Sequence, residues 1–158
     1  AAGEDEIWCH IHQKKSLSTV RTGDVWRTFL MRILLGDDRE ISTAVDLIGN
    51  DEVGLVAPFD PHFVPWNASR DLLPKFASRL PGPLPANPLL FPVGNMFWIR
   101  RASVLAMRDL FGQNYPWPNE PLPTDGTEFH LIERLWPAMT TCTGLNSVFV
   151  HKLDQKRV

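Results

Sequence analysis

Apolar and polar residues alternate near both ends of the chain and recur at helical spacing through much of the middle. Ile7-Trp8-Cys9-His10-Ile11-His12 predicts a strand, with Trp8, His10 and His12 on one face and Ile7, Cys9 and Ile11 on the other. Asp24 is placed to cap a helix that carries Trp26, Phe29, Leu30, Ile33 and Leu34 inward and stops at Gly36. A second helix is predicted from Asp37 or Asp38 to Gly49. Val53-Gly54-Leu55-Val56-Ala57 is a short continuous apolar run before Pro58, the pattern of a buried parallel strand. An irregular aromatic loop (Phe59 to Asn67), a short helix near Ser69 to Arg79 and a proline-rich link (Pro81 to Pro92) follow. Val93 to Ile99 reads as the next strand, with Gly94 where backbone must approach closely. Arg100 to Phe111 reads as a helix ended by Gly112, and Ser147 to Val150 as the last strand. Strands alternating with helices predict an α/β fold with a mostly parallel central sheet flanked by helices. Ala1 to Glu6 is expected to be frayed, residues 7–152 to form one domain and residues 153–158 a charged tail.

One stretch concentrates ionisable groups at a predicted helix start: Pro121-Leu122-Pro123-Thr124-Asp125-Gly126-Thr127-Glu128-Phe129-His130-Leu131-Ile132-Glu133-Arg134-Leu135. Two prolines deliver extended chain, Asp125 is placed to cap the helix by accepting a backbone N–H near Glu128, and Glu128 to reach back as in a capping box. Phe129, Ile132, Leu135 and Trp136 fall on one arc of that helix and predict its packed side. His130, Glu133 and Arg134 fall on another, facing solvent or a cleft.

Composition narrows the function classes. With 158 residues, 44% of them hydrophobic, and six tryptophans, the chain can bury one sizeable core. Sixteen basic and 18 acidic residues are interspersed, which leaves no electrostatic footprint for nucleic acid. Cys9 and Cys142 fit no metal or redox spacing and read as buried thiols of a reducing compartment. No apolar run approaches the ~20 residues needed to cross a bilayer, and no signal peptide is visible, so a soluble chain is expected. Most of the 14 prolines fall between Pro58 and Pro92 or between Pro116 and Pro123, and both stretches are candidate cleft walls.

Three segments then carry a family resemblance. Ile11-His12-Gln13-Lys14-Lys15-Ser16 resembles the "IHTKKS" strand end of the rhamnan synthesis protein F family of bacterial polysaccharide assembly. Phe91-Pro92-Val93-Gly94-Asn95-Met96-Phe97-Trp98-Ile99-Arg100 resembles its "FPAGSMFW-R" strand, and Pro121 to Leu135 its "PLP-DGT--H-IERL" segment. The resemblance implies the C-terminal part of a GT-A-like glycosyltransferase domain, building rhamnose-containing cell-surface polysaccharide of rhamnan or O-antigen type. It implies a nucleotide-sugar donor such as dTDP-rhamnose, a glycan acceptor, and a cytoplasmic setting at the inner membrane face beside other assembly proteins. The acidic pair that holds a metal in GT-A domains is replaced by His12 and Lys14, so no metal or other cofactor is implied. A GT-A domain begins with βα units that hold the nucleoside, whereas this sequence starts at the strand carrying His12, either as the C-terminal part of a longer enzyme or with the donor half absent. A non-catalytic glycan- or nucleotide-binding fragment lacking the donor half is therefore the alternative.

Within that reading His12, Lys14 and Lys15 are the candidate phosphate contacts, since a departing diphosphate needs positive charge; the bland reading is a solvated basic turn. Asp125 is the candidate general base for an acceptor hydroxyl, or else only a cap. His130 and Arg134, one turn apart, can face one ligand with Glu133 orienting either, or simply pair across the helix surface. Glu128 completes the candidate substrate contacts on the helix. Among the tryptophans, Trp117 is the candidate sugar platform, Trp66 a lesser one, and Trp98 is assigned to the core. His10, His62 and His151 have no metal-site spacing. The expectation is that His12, Lys14, Asp125, His130 and Arg134 converge on one cleft at the C-terminal edge of the sheet.

Overall fold

In the computed structural model the described residues are 6–12, 22–60, 65–80, 82–84 and 90–151. Four strands, β1 (Ile7–His10), β2 (Val53–Pro58), β3 (Phe97–Arg100) and β4 (Asn146–Val150), form one sheet in the order β1-β3-β2-β4. β2 and β4 are parallel, whereas β3 is antiparallel to both β1 and β2. The sheet is therefore mixed and mostly antiparallel, which corrects the expectation of a mostly parallel one. The cause is a single inner strand. β1, β2 and β4 run the same way, and β3 enters reversed between β1 and β2, so one strand makes two of the three pairings antiparallel. The chain leaves β2 at Pro58 and enters β3 at Phe97 from the same end, because Leu55 and Val56 face Ile99 and Trp98. The 3-10 helix between them, Asn67–Phe76, is not a crossover.

Helices cover both faces. α1 (Thr22–Leu35) and α2 (Asp38–Gly49) lie on one: Ala44 and Ile48 of α2 pack with Val53 and Val56, and Leu30 and Leu34 of α1 pack with Met96 and Trp98. α3 (Arg101–Phe111) and α4 (Glu128–Cys142) lie on the other, where Leu55, Ala57, Phe97 and Ile99 meet Met107, Leu110, Leu131 and Leu135. Burial of so many large apolar side chains is the main driving term for such a sandwich. α2 begins where the sequence predicts, because Asp37 accepts from the backbone N–H of Arg39 and Glu40 while the Glu40 carboxylate accepts the Asp37 N–H. β3 starts four residues later than expected. Gly94 (φ 79°) and Asn95 (φ 54°) turn the chain ahead of it, and a Cβ on Gly94 would lie 2.8 Å from both Leu30 and Trp26.

Candidate functional site

The start of α4 is built differently from its prediction. Thr127 is the N-cap; its N–H reaches His130 Nδ1 at 3.4 Å and its hydroxyl lies 2.7 Å from the same nitrogen. Asp125 is thereby released from the cap and serves a distant element. Its carboxylate accepts the Ala68 N–H at 3.2 Å, at the first turn of the 3-10 helix, and the Ser69 hydroxyl at 3.5 Å. Its third partner is Arg134, at 3.2 Å.

Arg134 corrects the helical wheel. Its side chain is only 5% exposed, with Nε donating to Pro65 O (3.2 Å), Nη1 to His130 O (2.9 Å) and the guanidinium 5.5 Å from the centre of the Phe91 ring. A planar, always-charged fork suits such a place because each of its three nitrogens finds an acceptor. Phe129, assigned to the packed arc, is 43% exposed, and Leu131 takes its place in the core. α4 is gripped on one side by the sheet and on another by α3 and the 3-10 helix, so its buried surface is wider than one apolar stripe.

Glu133 reaches a different neighbour. Its carboxylate accepts the Gly94 N–H at 2.8 Å, and burial pushes its pKa up against the opposing pull of that N–H and of Arg134. Asn95 in the same turn takes the Trp136 indole N–H on its side chain at 3.0 Å and His10 Nδ1 on its carbonyl at 2.5 Å. Two links thus run from α4 through the Gly94–Asn95 turn to the end of β1. His12, partly buried, follows two residues later. Asp125, His130, Glu133 and Arg134 are accordingly gathered at the end of the sheet where β1 and β2 finish. Lys14, Lys15 and His62 lie outside the described residues.

Glu128 sits apart from Arg134. It accepts the Tyr115 hydroxyl at 2.9 Å and faces the Lys75 ammonium at 3.5 Å. Burial works against its charge, but its own backbone N–H, Tyr115 and Lys75 outweigh that and hold its pKa below the ordinary value. Trp117 (41% exposed) stacks on Phe129 at 5.4 Å and 16°, and this exposed pair rests on Tyr115 and the buried Phe111. Trp66 is in the core rather than presented as a platform, though its edge helps line a groove of about 440 Å³ with Leu84, Leu90, Arg134, Pro137 and Thr141. The first proline-rich stretch thus walls a groove; the second carries Trp117. Cys9 is partly buried and Cys142 exposed, both as free thiols, so the expectation of two buried thiols is corrected.

Sequence reasoning passed over His10, Asn95, Phe129 and Asp60. Asp60, just past β2 and 9% exposed, accepts the Trp26 indole N–H at 2.6 Å. A carboxylate following a buried strand was the available signal for Asp60; Asn95 and Phe129 had none, because their roles depend on residues far along the chain. Among the described residues no three His, Cys, Asp or Glu side chains group as metal ligands, and no helix is long and apolar enough to cross a membrane.

A family profile described as "Rhamnan synthesis protein F" matches residues 4–141, nearly the whole chain. The chain belongs to the rhamnan synthesis protein F family. Two relatives from strains of Xanthomonas campestris pv. campestris, both described as "Uncharacterized protein WxcX", are 31% and 30% identical over 139 residues. That alignment takes in 85% of this chain and 20% of each relative, so the chain spans about a fifth of the length of the curated relatives it matches. No solved structure matches significantly. Membership connects the chain with polysaccharide synthesis. All three segments that resembled the rhamnan synthesis protein F pattern lie within the matched range.

Proposed function

We propose that this chain is a glycosyltransferase-related domain of rhamnose-containing cell-surface polysaccharide synthesis, in which a sugar passes from a nucleotide-sugar donor, with dTDP-rhamnose the leading candidate, to a glycan acceptor. The observation that supports it most is the setting of Asp125, in a chain of this family. Its carboxylate is one-quarter exposed and is fixed by the Ala68 N–H, the Ser69 hydroxyl and the Arg134 guanidinium at the sheet end that also carries His12. As the acceptor hydroxyl attacks the anomeric carbon, Asp125 takes its proton and the bond to the diphosphate breaks. His12, Lys14 and Lys15 supply positive charge to the departing diphosphate, Trp117 and Glu128 hold the acceptor, and His130, Glu133 and Arg134 keep the base in place. A nucleotide-sugar donor puts this chemistry on the cytoplasmic side, at the inner membrane where other assembly proteins work.

The second reading, a glycan- or nucleotide-binding module without turnover, draws on the same carboxylate. Arg134 and Ala68 each occupy one oxygen of Asp125, and an oxygen that gives its lone pairs to other donors is a poorer base. Asp125→Asn separates the two readings in the full-length protein. The amide still accepts the Ala68 N–H but takes up no proton, so transfer is expected to slow by at least ~100-fold. Stability falls by roughly 1–2 kcal/mol, because the buried Arg134 loses its counter-charge. Transfer at a near-normal rate by the folded variant removes Asp125 from the chemistry and favours the binding module.

A further inference from the structure

His10 is the histidine whose spacing said nothing and whose surroundings say most. It ends β1, and its Nδ1 lies 2.5 Å from the Asn95 carbonyl oxygen. A carbonyl has lone pairs and no hydrogen to give, so Nδ1 carries the proton. The ring stacks on Phe97, a fully buried side chain, at 5.2 Å and 21°. Those two contacts fix the plane of the imidazole and its rotation within that plane. The residue is nevertheless exposed, and among the described residues its Nε2 has no hydrogen-bond partner.

The clamp is itself held. Asn95 keeps a left-handed backbone (φ 54°), its side-chain oxygen accepts the Trp136 indole, and the adjoining Gly94 N–H is taken by the partly buried carboxylate of Glu133. A polar turn supported in this way from α4, with one imidazole nitrogen committed and the other turned outward, has the form of a ligand contact oriented by its second nitrogen. The surrounding chain indicates the ligand's charge. His12 follows at two residues' distance and Lys14 and Lys15 at four and five, so the strand end runs His-Ile-His-Gln-Lys-Lys. Two carboxylates linked to this part of the fold are already engaged, Glu133 with the Gly94 N–H and Asp60 with the Trp26 indole.

We propose that His10 is a ligand-contacting residue that donates from Nε2 to phosphate oxygens of the diphosphate part of the donor. This rests on the nucleotide-sugar reading above and adds to it the contact that the strand-end sequence did not reveal. In the bound state the ring takes one proton from solvent and becomes imidazolium, with Nδ1–H still given to Asn95 and Nε2–H to the oxyanion. A hydrogen bond to a charged partner is among the stronger ones a side chain can make.

The test uses the intact 158-residue chain labelled with ¹⁵N-histidine and titrated with inorganic pyrophosphate and, separately, with dTDP-rhamnose. The free protein is expected to show His10 protonated at Nδ1. Pyrophosphate should shift its Nε2 resonance toward the protonated form, and His10→Gln should weaken pyrophosphate binding about tenfold by calorimetry, the scale of one charged hydrogen bond. The spectroscopic arm needs no substitution, so it decides the matter even if the variant folds poorly. An unprotonated Nδ1 in the free protein, pyrophosphate binding that leaves His10 unmoved, or no binding at all overturns the assignment. Pyrophosphate bound through His10 with no gain in affinity for dTDP-rhamnose would sink the nucleotide-sugar reading and leave this one standing. Binding of dTDP-rhamnose that ignores His10 would do the reverse.

Discussion

Two arginines are buried at opposite ends of the sheet, and they are buried for different ends. Arg100, the last residue of β3, is 7% exposed and donates to three main-chain carbonyls, Val53 O (2.8 Å), Ile48 O (3.0 Å) and Asn50 O (3.2 Å). The carboxylate beside it, Asp51 at 3.6 Å, stands fully in solvent. Arg134, in α4, is 5% exposed, donates to two carbonyls, and faces a carboxylate that is itself mostly covered. The first guanidinium staples the α2–β2 connection to the end of β3. The second assembles a loop, a helix and a carboxylate around the edge of a groove. Water screens the Arg100–Asp51 pair, so its strength resides in the carbonyl bonds. Much less water reaches the Arg134–Asp125 pair, and there the charge itself has an effect.

The largest effect should come from Arg100→Ala, which takes the side-chain donor from the Val53, Ile48 and Asn50 carbonyls, only the last of which also accepts the Val53 N–H, and leaves a void behind them. We expect a loss of roughly 3 kcal/mol or more in urea unfolding, with no specific effect on ligand binding in the fraction that remains folded. Asp51→Asn, by contrast, should leave the unfolding midpoint where it was. A substantial shift with Asp51→Asn would mean that the staple is an ion pair after all.

Arg134→Met should cost roughly 2 kcal/mol, since the apolar chain fills part of the space but takes the side-chain donor from the Pro65 carbonyl and leaves the His130 carbonyl with its helical partner alone. Combined with Asp125→Asn in a double-mutant cycle it should show a coupling of about 1 kcal/mol. Additive effects of the two substitutions would place Arg134 in the same purely structural class as Arg100 and dissolve the contrast.

The smallest effect concerns Glu133. Its folded-state pKa is raised, chiefly by burial, so between the ordinary carboxylate value and the raised one the native state holds more proton than the unfolded chain. Its contribution to stability is therefore fully present at acid pH and is lost as pH rises through the folded pKa. Glu133→Gln keeps an oxygen for the Gly94 N–H and removes that titration. Denaturant melts from pH 4 to pH 8 should show the variant losing less stability than the parent as pH rises, with a difference under ~1 kcal/mol at neutral pH. The opposite slope would show that the pull of Arg134 and the Gly94 N–H outweighs burial.

Much of this molecule is local and could be read locally. The strands around Ile7, Val53 and Ser147, the capping box at Asp37 and the stop at Gly112 follow from side-chain period and cap chemistry within a few residues. The cluster of ionisable groups at the start of α4 was visible for the same reason. Its wiring was not. Thr127 and Asp125 are both acceptable caps by type, and the choice between them is made by Ala68 and Ser69, whose donors lie 57 and 56 residues away and draw the Asp125 carboxylate off.

The amino-acid sequence alone determined most of the elements, the family and the cluster of ionisable residues at the start of α4, because period, caps and motifs act over a turn or two of chain. Only the tertiary structure decided the direction of β3, the burial of Arg134, the exposure of Phe129 and the clamp on His10. Each depends on which distant backbone donor or acceptor arrives beside a given side chain, and a buried polar group takes the partner that packing brings to it.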